Sequence, residues 1–155
     1  MVAEPFVVEF RENGHGSVVD RMQAMARERR GWLNLMPGLD VDEPPPERST
    51  FGSWFSARGP TVPLGTWRPA QRRDPATAGI QHGWGPKATE YLAEVGMPVP
   101  DTWRIIQDHA KRGLVVAMPT TTDHDELDAV LAWLVRATGA LCPLPRTGEW
   151  RALCY

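Results

Sequence analysis

The chain is poor in cysteine, in lysine and in net charge, and it has no long apolar run. Its 155 residues hold two cysteines, Cys142 and Cys154. Two thiols are too few for a disulfide framework, and no CxxC pair or Cys/His cluster has the spacing of structural zinc. Both are read as small buried hydrophobes. Seventeen basic side chains stand against nineteen acidic ones, a formal net charge of −2. That balance argues against a nucleic-acid partner and against an anionic membrane surface. Apolar stretches fall far short of the roughly 20 residues that span a bilayer, so no membrane partner is expected. The opening MVAEPFVVEF lacks a basic n-region and a long apolar h-region, so the expected location is cytoplasmic. Lysine occurs twice, at Lys87 and Lys111, against fifteen arginines. This bias is read as the genomic signature of a GC-rich bacterium and not as function.

What is present points to a folded body. Hydrophobic residues make up 42% of the chain, enough for a core in a single domain over 1–155. Over 6–10 the alternation of FVVEF predicts a strand with Phe6, Val8 and Phe10 on one face. Ser17, with Asp20 three residues on, predicts the start of a helix that buries Val18, Met22, Met25 and Ala26. Arg27, Arg29 and Arg30 fall in its last turn, where the helix dipole favours cations, and Gly31 is expected to close it. The residues 1–33 thus form an N-terminal strand and helix.

Between 34 and 77 the chain changes character. Eight prolines, among them Pro44-Pro45-Pro46, all but exclude helix there. Phe51, Trp54, Phe55 and Trp67 make the segment too aromatic for a plain linker. An ordered Pro-rich wrap is expected, with a strand near 61–68 confined to a sheet edge by Pro63.

From 78 onward the pattern is strand, helix, strand, strand, helix, strand. A strand over 78–82 precedes Gly83-Trp84-Gly85 and a helix with Pro86 at its first position. Strands 103–107 and 114–118 form a hairpin, Asp123 and Glu126 cap a helix to about Thr138, and 149–154 is a last strand. The order is that of a split βαβ, so an α+β fold with a ferredoxin-like core over 78–155 is expected. Topology alone carries no function.

The topology does locate a candidate site. A helical crossover makes 78–82 and 103–107 parallel, which puts their carboxyl ends together. His82, Gly83, Gly85, Lys87, Asp108, His109 and Arg112 are then expected at one end of the sheet, with Arg146 nearby. Backbone N–H groups at a helix N-terminus, joined by Lys87 and the arginines, are a reasonable anion site. His82, Asp108 and His109 have the chemistry of acid–base groups. The blander reading is a satisfied strand-end histidine and solvated hairpin charges.

Other chemistries lack their motifs. There is no GxSxG elbow, and GWGPK matches neither a P-loop nor a dinucleotide fingerprint. The acidic run 122–128 reads as helix capping, and no metal or cofactor is expected. An RNA-recognition sheet needs rings on its central strands, where this chain has AGIQH and LVVAM. The leading expectation is a binding protein for a small anionic ligand at the His82, Lys87 and 108–113 end. The alternatives are a protein-interaction or homodimer-forming module using the sheet or the Trp54/Phe55 surface, and a small enzyme with a histidine base.

Overall fold

The computed structural model describes residues 4–40 and 60–155. Seven strands and three helices are found among them: β1 (Phe6–Arg11), α1 (Gly16–Glu28), β2 (Leu33–Leu39), β3 (Leu64–Arg68), β4 (Ala76–Gln81), α2 (Ala88–Glu94), β5 (Arg104–His109), β6 (Gly113–Met118), α3 (His124–Ala140) and β7 (Arg146–Cys154). The strands form one sheet in the order β1-β7-β2-β3-β4-β6-β5. All neighbouring strands are antiparallel.

Three strands of the expected ferredoxin-like core keep their relations. β4, β6 and β5 lie side by side, with α2 crossing over between β4 and β5. The fourth does not. A split βαβ core would set β7 against β4, but β2 and β3 are inserted between them. The expected wrap over 34–77 therefore corrects to two strands in the middle of the sheet, with 41–59 outside the described residues. Trp54 and Phe55 fall in that span. Pro63 does not force an edge, because it precedes β3 and so removes no ladder donor. Pro37 does sit within β2, past Leu35, the last residue paired with β3, and the ladder to β7 shifts register between Pro37 and Leu39. Proline is tolerated where a strand has an open side or a bulge.

One face of the sheet carries the core. A row runs from Ala152 through Leu35, Gly65 and Ile80 to Leu114, with Asp108 at its β5 end. α3 lies over its centre. A Cβ at Gly65 would stand 2.8 Å from Thr138 Oγ1 and 3.4 Å from Leu134 Cγ, so glycine there lets helix and strand meet closely. α3 buries Leu127, Leu131 and Leu134 completely or nearly so. Its start is set by Asp123, whose carboxylate accepts from Glu126 N–H at 3.1 Å.

α1 packs beside α3 on the same face. Its expected Ser17 cap is corrected: the N-cap is His15, with no side-chain cap bond. The His15 ring instead bridges Glu12 O at 2.9 Å and Asp128 Oδ1 at 2.9 Å, joining the two helices. Its C-terminus turns at Arg29, in the left-handed region, before Gly31. α2 begins at Ala88, two residues after Pro86, so proline does not hold its first helical position. Trp133 on α3 donates to Pro98 O at 3.0 Å and meets Trp103 edge to face, which anchors the chain between α2 and β5 on the helix layer.

The opposite face carries the row Val7, Leu153, Asn34, Thr66, Gly79 and Val115. Among the described residues no helix covers it. These side chains are half-buried or exposed.

Candidate functional site

β4 and β5 run in the same direction, each antiparallel to β6 between them. His82, just past β4, and Asp108, near the end of β5, accordingly meet at one end of the sheet under the start of α2. His82 is fully buried. Its Nδ1 accepts from Trp84 N–H at 3.2 Å, while Nε2 has no hydrogen-bond partner. Burial pushes the imidazole below its ordinary pKa of 6.5, and the nearby Asp108 carboxylate opposes that shift.

Asp108 faces the helix layer, because it lies opposite Leu114. Its carboxylate accepts from Ala88 N–H and Thr89 N–H, each at 3.1 Å, and from Thr89 Oγ1 at 2.7 Å. The orphan donors of a helix start are thus satisfied by an anion that the chain itself supplies. Lys87 is the N-cap residue of α2, with left-handed φ of 62° and an exposed side chain. Gly85 is buried with φ of 118°, a conformation that only glycine adopts cheaply, while Gly83 is half-buried.

His109 follows Asp108 and plays a local part. Its Nδ1 accepts from Lys111 N–H at 3.0 Å and Arg112 N–H at 3.1 Å, closing the hairpin turn. Gln107 Nε2 donates to the carbonyls of Arg112 and Gly113 from the other side. Gly113 has φ of 87°, and a Cβ there would collide with the Ile80 carbonyl oxygen. Arg112 is exposed on this turn. Arg146 lies at the same end of the sheet but on β7, three strand steps from β4, or about 14 Å. It donates to Glu12 Oε1 at 3.0 Å and so belongs to a different neighbourhood.

Strand direction therefore brings His82, Lys87 and Asp108 together and leaves Arg146 apart, with His109 engaged in its own turn. Sequence reasoning missed the stack of Trp84 on Tyr91, with ring centroids 3.8 Å apart. The spacing of seven residues between the two rings was the available signal, hidden by the irregular backbone before α2. It also missed the His15–Asp128 pair, for which a separation of 113 residues leaves no local signal.

No protein-family model, curated protein or solved structure matches the chain. Among the described residues no group of three or more His, Cys, Asp or Glu side chains could hold a metal ion, and no helix is long and apolar enough to cross a membrane.

Proposed function

We propose that this chain is an interaction module that pairs with a second copy of itself through the sheet face opposite α1, α2 and α3. The observation that carries the reading is the one-sided helix layer. α1, α2 and α3 all sit on one face, and the other keeps Val7, Leu153 and Val115 in a row with Asn34 and Thr66. Two sheets packed face to face lie about 10 Å apart and exclude water from such a row. A two-fold interface must complement itself, which favours a face without excess charge. Charges on this face are partly balanced in place, with Arg151 3.3 Å from Glu9 and Arg11 3.6 Å from Glu149. Val7, exposed on β1, extends this apolar row to an edge strand.

The test is molar mass in solution by light scattering across a dilution series. The wild type is expected to be a dimer at about 100 μM, and Val115→Glu with Leu153→Glu a folded monomer. A wild type that stays monomeric throughout the series overturns the reading.

A second reading keeps a small anionic ligand at the His82 end. It is favoured by the unpartnered Nε2 of a fully buried imidazole and by the exposed Lys87 and Arg112. It is weakened by Asp108, whose carboxylate already takes the α2 donors that an incoming anion would use. The enzyme reading has less support, since both candidate bases, His82 and His109, use Nδ1 to accept from backbone N–H groups.

A further inference from the structure

At the end of the sheet opposite His82, the C-terminus of α1 meets the turn between β3 and β4. Between them is a hollow of about 240 Å³, lined by Arg29, Arg72, Arg73, Asp74 and Thr120 among others. Its size is below the roughly 300 Å³ at which pockets for drug-sized ligands begin, so it suits a compact group. None of the three arginines takes part in an ion pair among the described residues. Three guanidinium groups against one carboxylate leave an excess of two positive charges. A phosphate monoester carries about −1.5 to −2 at neutral pH, and the planar guanidinium fork fits its oxygens.

The backbone supplies an independent observation. Only three described residues other than glycine have positive φ, and two of them, Arg29 at 53° and Arg72 at 52°, line this hollow. Arg29 caps α1 in the left-handed conformation, where glycine is the usual choice. Arg72 is the first central residue of a two-residue turn closed by mutual Gln71 and Asp74 backbone bonds of 3.1 and 2.8 Å. A positive φ at that position again favours glycine. Arginine stands at both sites against backbone preference, and side-chain function is what such strain commonly accompanies.

We propose that the hollow formed by Arg29, Arg72 and Arg73 is a binding site for the phosphate group of a small phosphate monoester. The inference is independent of self-association, because the hollow lies on the helix side, at the sheet end.

The same backbone argument provides a clean test. Glycine at 29 and 72 removes two guanidinium groups while relieving both conformations, so the double variant Arg29→Gly, Arg72→Gly should melt no lower than wild type. Binding of glycerol 3-phosphate and of inorganic phosphate is measured by calorimetry, with sodium chloride holding ionic strength constant. The wild type is expected to bind glycerol 3-phosphate more tightly than inorganic phosphate, and the double variant to bind it about tenfold more weakly or not at all. Equal binding by wild type and variant, or no binding by the wild type, overturns the site. Tighter binding of inorganic phosphate overturns the monoester assignment.

Discussion

An imidazole that is fully buried, with one ring nitrogen satisfied and the other not, resists taking a proton. His82 is such a group, and burial lowers its pKa from the ordinary 6.5. In the unfolded chain the ring protonates near 6.5, whereas in the native state it stays neutral to lower pH. The unfolded state therefore binds more protons in that window, and stability falls as pH drops below about 6.5. His82→Asn keeps an acceptor at the Nδ1 position for Trp84 N–H but cannot titrate. Melting temperatures measured between pH 7.5 and roughly 5 should decline more steeply in the wild type than in this variant. Parallel declines would show that other groups govern the acid limb. The position of His82 beside Asp108 was legible from strand direction alone. The occupancy of the α2 donors was not, because it depends on which face Asp108 presents, and a bulge between Ile105 and Gln107 resets the alternation along β5.

Elements differ in how much of their specification is local. α3 carries its own start at Asp123 and a buried stripe at helical spacing, and β5–β6 is a hairpin whose partners lie close in sequence. Both were legible for that reason. β2 was not, and β3 was expected as a strand but at an edge, since their places in the middle of the sheet are set by pairing across the chain, and prolines around them mask the pattern. The start of α1 was misjudged because Ser17 and Asp20 imitate a capping pair, while the helix is held at His15 by Asp128 from α3. The weight that α3 bears can be measured. Leu131 is fully buried under it, and Leu131→Ala should lower stability by about 2–5 kcal/mol through lost burial and the cavity left behind. A urea midpoint unchanged by that substitution would show that α3 does not close the core as described.

Across the whole molecule, the sheet gathers strands from distant parts of the chain. β7 lies between β1 and β2, so strands from the two ends of the sequence become neighbours. A ladder of such long-range pairs makes loop closure costly and folding slow relative to a helical chain of this length. It also sets how the molecule yields to force. β1 and β7 are antiparallel, with Phe6 opposite Cys154 and Arg11 opposite Glu149. Handles attached at the two chain ends would pull across this pair, nearly along its hydrogen bonds, which run perpendicular to the strands. The load then falls on one bond pair at a time, beginning at Phe6–Cys154. Single-molecule extension from the two ends should open the sheet like a zip at low force. Attachment through cysteines at 11 and 154, in a chain with Cys142 replaced by serine, should load all six pairs at once and require a clearly higher force.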